Sequence, residues 1–189
     1  MRFIAACLFL AAAQDSADPF YKFAKGSAWT YGMNAGEDAP KGLKMKLSVT
    51  GEADGKVSAD MTQGSEGAKE TKMLWYVADG IFYWGEKKGN ALKEAIGLFK
   101  IGSKKGDTWG SPGSDSVQKH TATHMGREEV KVPAGEYKEA LHIRLQVAEG
   151  GDNIQLDMFL VEKVGVVKMV YGFGDKKMSM DLEEFKPAK

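Results

Sequence analysis

Cysteine is nearly absent from the chain. Cys7 is the only cysteine in 189 residues, and it lies inside the N-terminal apolar run FIAACLFLAAA (residues 3–13). If that run is removed as a targeting segment, the remaining chain has no disulfide, no thiol nucleophile and no thiolate ligand. A secreted domain without disulfides must be held together by its apolar core, and residues 14–189 are numerous enough to form one.

The N-terminal run has the features of a secretory signal. Arg2 supplies a positive charge, the apolar segment is too short to span a bilayer, and Ala11 and Ala13 have the spacing that signal peptidase recognises before the polar QDSAD. We therefore predict a signal peptide over residues 1–13, cleaved after Ala13, and a secreted or periplasmic protein. The alternative is a lipoprotein signal in which IAAC ends at Cys7, where the protein would be anchored.

Net charge and long apolar runs are lacking as well. The 26 basic residues balance the 26 acidic ones, so no overall field attracts nucleic acid or an anionic membrane surface. Beyond the N-terminal run, no apolar stretch approaches the about 20 residues that a transmembrane helix needs. The sequence therefore predicts no nucleic-acid partner and no membrane span.

The motifs of common catalytic and metal sites are also missing. There is no Gly-x-Ser-x-Gly elbow, phosphate-binding loop, dinucleotide fingerprint or Asp-rich calcium loop. His120 and His124 are four residues apart in HTATH, but the threonines favour a strand, where such residues stand about 13 Å apart. We interpret both as surface histidines, and His142 as part of the polar face of its own strand. No catalytic residue, metal site or cofactor is predicted.

What the sequence has in abundance is period-two alternation of apolar and polar residues. In LKMKLSVT (residues 43–50) the apolar side chains share one face, and Asp54-Gly55 and Asp79-Gly80 are pairs typical of two-residue hairpin turns. The pattern predicts a single all-β domain over residues 14–189. It should be an antiparallel meander of about 10–12 strands curled into a half-barrel, a barrel or a sandwich, with one or two short helices.

One expected helix lies in ALKEAIGLF (residues 91–99). Asn90 is a candidate cap, and Leu92, Ile96 and Phe99 fall on one helical stripe.

The segment EEVKVPAGEYKEALHIRL (residues 128–145) is the most regular hairpin pattern in the chain. Pro133 presets φ in the turn, and Gly135 can adopt the positive φ that closes it. The return strand then points Leu141 inward and His142 outward. We interpret the segment as a hairpin that sets the strand register and not as an active-site loop.

An internal echo is present in GSAW (residues 26–29) and GDTW (residues 106–109), which each place a glycine three residues before a tryptophan. Two similar halves of the chain would explain the echo. Two unrelated strands that each begin with a buried tryptophan would explain it too. We favour this second interpretation, because a match over four positions is weak evidence for a duplication.

Aromatic residues and methionines suggest a cavity. Aromatics are concentrated in one hairpin, and methionine and aromatic side chains line adaptable apolar cavities. An ordinary filled β core is the alternative. The residues predicted to line a cavity for a lipid or another apolar small molecule are Trp75, Phe82, Trp84, Met158 and Met178.

Four segments carry a resemblance to known proteins: LFKIGSKKGDTW, EEVKVPAGEYKEALHIRL, MFLVEKVGVVKMVYG and MSMDLEEF, mainly within residues 96–185. They resemble bacterial secreted domains of unknown function that are similar to the periplasmic lipoprotein-carrier half-barrels. The resemblance implies a curved antiparallel sheet around an apolar concavity, and it implies no catalytic residues.

Three functional hypotheses follow. The first is a secreted or periplasmic, non-enzymatic protein that binds an apolar ligand in the concave face of its sheet. The second is a structural or interaction module of the cell envelope that binds a partner protein through a sheet edge. The third is a hydrolase whose site is assembled from scattered residues. A hollow interior would favour the first, a filled core with an exposed apolar patch the second, and converging polar groups the third.

Overall fold

The structure is a computed structural model of the chain. It describes residues 20, 23–34, 42–64, 70–89, 91–111, 113, 119–149, 152–173 and 176–189. The predicted signal peptide, its cleavage position and Cys7 lie outside the described residues.

The described residues form twelve β-strands, and among them only Phe20 is helical. The strands are β1 (Ala28–Asn34), β2 (Lys44–Ala53), β3 (Lys56–Gly64), β4 (Glu70–Ala78), β5 (Ile81–Lys88), β6 (Ala91–Lys100), β7 (Thr108–Ser111), β8 (His120–Val132), β9 (Gly135–Glu149), β10 (Asp152–Val161), β11 (Gly165–Phe173) and β12 (Lys176–Lys186). The prediction of an all-β antiparallel meander is confirmed.

Two hairpin turns have the geometry that their sequence predicts. Asp54 and Gly55, between β2 and β3, have φ of 52° and 70°, and Asp79 and Gly80, between β4 and β5, have φ of 50° and 72°. Positive φ at both central residues is the type I′ turn, whose twist matches that of the strands it joins.

The strands form one antiparallel sheet in the order β6-β5-β4-β3-β2-β1-β12-β11-β10-β9-β8-β7. Pairing of β1 with β12 brings the first and last strands together and leaves β6 and β7 at the ends of the ladder. Gly97 of β6 donates its N–H to His120 Nε2 of β8 over 3.3 Å, and its carbonyl accepts from Trp109 Nε1 of β7 over 3.1 Å. The result is a nearly closed barrel whose seam is held by side-chain hydrogen bonds.

The helix expected over residues 91–99 is wrong, because β6 occupies Ala91–Lys100. After the pair of Phe82 with Phe99 the register shifts and leaves Leu98 as an extra residue on β6, and a second shift follows Trp84. Each bulge moves the following residues to the other face. Apolar residues therefore recur three and four apart and imitate a helical stripe.

The hairpin predicted within residues 128–145 is present. Val132 pairs with Gly135, Pro133 and Ala134 form the turn, and Gly135 has a φ of 150°. The Ala134 N–H donates to the carbonyl of Leu182 in β12 over 2.9 Å. The tip of this hairpin therefore folds onto β12, so its regular pattern serves the fold.

The two Gly-x-x-Trp segments form the same turn. Gly26 and Gly106 have φ of 96° and 94°. The Gly26 N–H donates to the Val49 carbonyl, and the Val49 N–H donates to the carbonyl of the residue after Gly26, both over 2.9 Å. Gly106 and His124 repeat this pair of bonds over 2.8 and 3.0 Å. The shared geometry favours two similar halves over two unrelated strands.

None of the helical structure in the described residues amounts to a helix that is long and apolar enough to cross a membrane.

Candidate ligand cavity

The interior of the barrel is hollow toward the end where β1 reaches Asn34. A cavity of about 410 Å³ lies there between the inner faces of the strands. Eight of the nine methionines that the structure describes line it: Met33, Met45, Met61, Met73, Met158, Met169, Met178 and Met180. The ninth, Met125 on β8, lies outside the lining.

The rest of the cavity wall is almost entirely apolar. Trp84 and Leu156 contribute to it, and the side-chain amide of Gln63 and the hydroxyl of Tyr171 are polar. Tyr171 donates its O–H to the Met169 sulfur over 3.6 Å. Burial raises the pKa of Tyr171, so its phenol stays protonated at neutral pH. No carboxylate, ammonium or imidazole group is among the described lining residues, so the cavity is suited to an uncharged, apolar ligand.

The opposite end of the barrel is filled by aromatic rings. Trp29 stacks on Phe185 with ring centroids 5.3 Å apart and meets Phe23 edge-on at 4.8 Å. The indole N–H of Trp29 donates to the Val164 carbonyl over 2.6 Å, which fixes the ring. Tyr31 lies next to this cluster and is 2% exposed. The space left at this end is about 30 Å³.

The two ends differ because of residues two apart on the inner face of each strand. Strands β1, β2, β4 and β10 each carry a bulky residue at the filled end and a methionine at the hollow end: Tyr31 and Met33, Leu47 and Met45, Trp75 and Met73, Leu160 and Met158. Residues two apart on a strand point to the same face, so each pair spans the boundary between the two ends.

The five residues predicted to line a cavity divide between these ends. Met158 and Met178 line the larger cavity, Trp75 and Phe82 line the small space at the filled end, and Trp84 borders both. The aromatic hairpin therefore contributes mainly to the filled end.

Six of the eight lining methionines were not among the residues predicted to line a cavity: Met33, Met45, Met61, Met73, Met169 and Met180. Their inward position on alternating strands was a detectable signal. Their convergence on one cavity was not detectable, because it depends on the register between strands that are distant in sequence.

His142 lies on the polar outer face of β9, as predicted, but it is buried there, with 7% of the residue exposed. Its ring stacks on Phe159 at 4.5 Å, its Nδ1 contacts Glu128, and its Nε2 lies 2.7 Å from Asp157 Oδ1. Arg144 Nε also donates to Asp157 Oδ1 over 2.7 Å. These side chains form an outer-face cluster across β8, β9 and β10.

The charge state of this cluster follows from its contacts. Burial by itself raises the pKa of Asp157, but hydrogen bonds from Arg144, His142 and Gln155 outweigh burial and hold that pKa below its ordinary value. Both ring nitrogens of His142 contact carboxylates, so the ring connects Glu128 of β8 to Asp157 of β10.

The surface interpretation is wrong for His120, which is buried, whereas His124 remains partly exposed. His120 is 5% exposed and accepts the Gly97 N–H at the barrel seam. His124 is half-buried, with Nδ1 at 3.1 Å from both the hydroxyl and the carbonyl oxygen of Ser103. Burial lowers the pKa of His124 and favours its neutral form. Within the described ranges no group of three or more His, Cys, Asp or Glu side chains could hold a metal ion.

No protein-family model matches the sequence, and the comparison with curated proteins found no match. Solved structures match in fold. The chain aligns with a predicted exported protein of Bacteroides fragilis that has a YmcC-like fold, with a TM-score of 0.57 and 13% identity over 87% of this chain and 98% of that one.

Two further structures are similar at lower scores. A predicted lipoprotein of Parabacteroides distasonis aligns with a TM-score of 0.49 and 13% identity over 87% of this chain and 97% of that one. A β-barrel-like protein of Brucella abortus, from the domain family of unknown function DUF1849, aligns with a TM-score of 0.48 and 10% identity over 88% and 99%.

The Bacteroides fragilis structure defines the class at the level of fold. This chain is an antiparallel, nearly closed barrel similar to the YmcC-like fold. The sequence motifs resemble domains similar to the lipoprotein carriers, but the structural similarity does not point to those carriers in particular.

Proposed function

We propose that this protein is an exported, non-enzymatic binding protein that holds one apolar chain, such as the acyl chain of a lipid, in its methionine-lined cavity. The observation that carries the proposal is the hollow end of the barrel, a cavity of about 410 Å³ with two polar side chains, Gln63 and Tyr171, among its described lining residues.

The size and softness of the cavity define the ligand. Its volume lies at the lower end of the about 300–1,000 Å³ typical of small-molecule sites, which fits one chain better than several. Each buried methylene group contributes about 0.8 kcal/mol of binding free energy, so affinity should rise with chain length until the cavity is full. Methionine side chains are flexible and unbranched, so they adapt to a flexible chain.

The proposed location is outside the cytoplasm, in the periplasm or beyond. It is supported by the predicted signal peptide over residues 1–13 and by the fold shared with a predicted exported protein. Cleavage after Ala13 and lipid attachment at Cys7 predict different masses and N-termini for the exported protein. Intact-mass analysis of the protein purified from a bacterial envelope distinguishes them.

The two other hypotheses have less support. Edge-on pairing with a partner needs a free edge, but Gly97 of β6 is hydrogen-bonded across the seam to Trp109 of β7 and His120 of β8. A hydrolytic site needs several polar groups that converge in a pocket, whereas Gln63 and Tyr171 are the polar side chains among the described lining residues of the cavity. The polar groups that do converge, around His142, lie on the outer face of the sheet, where Glu128, Asp157 and Arg144 bind one another through that ring and through Asp157.

A cavity-filling substitution tests the proposal. Met45→Trp places an indole in the cavity, and Lys46→Trp places the same group on the outer face of the same strand, because Met45 is buried and Lys46 is exposed. The measurement is the affinity for a dansyl-labelled fatty acid. We expect at least a tenfold loss for Met45→Trp and less than a twofold change for Lys46→Trp.

Native mass spectrometry of the wild-type protein, purified from a bacterial periplasm, is the companion measurement. It should show a co-purifying lipid or fatty acid that Met45→Trp lacks. If the wild type carries no lipid and does not bind the labelled fatty acid, the proposed function is wrong. Circular dichroism confirms that each variant is folded.

A further inference from the structure

The methionines of the cavity form an ordered row across four strands. Met158 of β10 is paired directly with Met169 of β11, Met169 with Met180 of β12, and Met180 with Met33 of β1. All four line the cavity, and the first three are at most 4% exposed. We call these four residues the methionine row.

Neighbouring methionines of the row bring their thioether sulfurs within reach of a common ion, whereas Met158 and Met33 stand three strand spacings, about 14 Å, apart. Directly opposed residues on antiparallel strands have Cβ atoms about 4.5–5.5 Å apart. Methionine adds three rotatable bonds beyond Cα, so neighbouring sulfurs can turn toward one point. The Met169 sulfur already acts as an electron-pair donor, since it accepts the Tyr171 O–H over 3.6 Å.

The chemistry of the wall selects one kind of cation. Thioethers are soft, uncharged ligands that favour Cu(I) over hard ions, and the described wall supplies no carboxylate or imidazole for Ca²⁺, Mg²⁺ or Zn²⁺. Uncharged ligands leave the full charge of the ion in apolar surroundings, which disfavours a divalent ion more than a monovalent one. Trp84 and Tyr171 border the same space, and aromatic rings attract cations.

We propose that the methionine row is a binding site for a soft monovalent metal cation, Cu(I) or its redox-stable analogue Ag(I), held by the sulfurs of Met169 and Met180 together with that of a neighbour, Met158 or Met33. This site goes beyond apolar-ligand binding and does not depend on it. The two ligands share one cavity, so they compete.

Leucine substitutions test the role of sulfur in the proposed metal site. Leucine has a volume close to that of methionine and is apolar, but it has no sulfur. Met169→Leu/Met180→Leu removes the two central ligands and preserves the apolar wall. Met125→Leu is the control, because Met125 is on β8 outside the cavity lining. Every protein in the experiment carries Cys7→Ser, so that no thiol competes for silver.

The experiment is a titration with Ag(I), monitored by isothermal titration calorimetry, native mass spectrometry and methyl NMR of ¹³C-labelled methionine. We expect one Ag(I) per protein, shifts of the methyl resonances of the row and an unshifted Met125 methyl. The double variant should bind Ag(I) at least tenfold more weakly than the wild type, and Met125→Leu should bind it as the wild type does. Zn²⁺ should produce no shift of the row methyls.

Three results would overturn the inference: absence of Ag(I) binding to the wild-type protein, equal affinity in the wild type and the double variant, or a Met125 shift as large as those of the row. If the double variant is unfolded by circular dichroism, the single variants Met169→Leu and Met180→Leu decide the matter by the same criterion. A wild-type protein that binds Ag(I) but not the fatty acid would contradict the proposed function and would leave the proposed metal site unaffected.

Discussion

The two ends of the barrel are built from the same strands but by different means. On β1, Trp29 is locked between Phe23 and Phe185 and hydrogen-bonded to the Val164 carbonyl. Four residues along the same strand, Met33 borders a cavity of about 410 Å³. Rigid aromatic packing holds the strands together at one end, and flexible thioether side chains leave room at the other. The filled end should therefore contribute most of the stability and the hollow end most of the binding.

The largest expected contrast comes from truncating one residue at each end of β1. Trp29→Ala removes a buried ring and should lower the free energy of unfolding by about 3–5 kcal/mol. Met33→Ala should lower it by about 1 kcal/mol, because this side chain is partly exposed and already borders empty space. Urea denaturation measures both. Equal losses would mean that the two ends contribute alike to stability.

A smaller contrast comes from the two glycines that begin and nearly end β11. Gly165, at the filled end, has a φ of 87°, and an added Cβ would lie 3.2 Å from the Phe23 ring. Gly165→Ala should therefore destabilise the fold by about 2 kcal/mol through backbone strain and overpacking.

Gly172, near the hollow end of the same strand, is the matched control. An added Cβ there would make ordinary contact with Gln155 at 3.8 Å. Gly172→Ala should be neutral or stabilise by about 0.5 kcal/mol, because it restricts the unfolded chain. Thermal and urea unfolding of both variants test the pair, and an equal loss in both would show that the two ends are packed equally tightly.

The smallest expected change in stability comes from the outer-face contacts of Asp157, which lie behind the hollow end of the barrel. Asp157 lies on β10 between the cavity-lining Leu156 and Met158, and it is bonded to His142 and Arg144. Asp157→Asn should cost about 1 kcal/mol near pH 7. Glu162→Gln is the control: its 3.6 Å ion pair to Arg127 is exposed, so the cost should be about 0–0.5 kcal/mol.

The lowered pKa of Asp157 determines how the stability difference between the wild type and Asp157→Asn depends on pH. The folded protein binds this proton less tightly than the unfolded chain does, so the unfolded chain takes up more protons on acidification. The contribution of Asp157 is full above the ordinary pKa of about 4 and is lost as the pH falls below it. Urea denaturation of wild type and Asp157→Asn from pH 7 to pH 3 should give converging free energies. A constant difference across that range would show that Asp157 acts through its shape and not through its charge.

Local features of the fold were predictable wherever neighbours in sequence decide the conformation. Asp54-Gly55 and Asp79-Gly80 form the turns that their chemistry favours, and the alternation over residues 43–50 buries Met45 and leaves Lys46 exposed. The prediction failed in β6, where two bulges shift the alternation toward a helical spacing. It failed again at His142, whose polar-face position was correct but whose burial comes from Glu128 and Phe159 on other strands.

The candidate site was predictable only in part. Met158 and Met178 were predicted as lining residues and line the larger cavity. Trp75 and Phe82 were predicted to line the same space, but they lie at the filled end. Aromatic and methionine content indicates an adaptable apolar interior. It does not indicate which residues face an open space, because that depends on where along the barrel axis each strand places them.

By itself the sequence determined the all-β class, the antiparallel meander, the tight turns and the inward faces of most strands, because these depend on residues a few positions apart. Only the tertiary structure decided that one end is filled and the other hollow, and that Met33 meets Met180 while Met169 meets Met158 and Met180. The pairing of β1 with β12 joins segments from opposite ends of the chain, and a register shift of one residue would turn every methionine of a strand to the other face. The cavity therefore exists through the closure and register of the barrel.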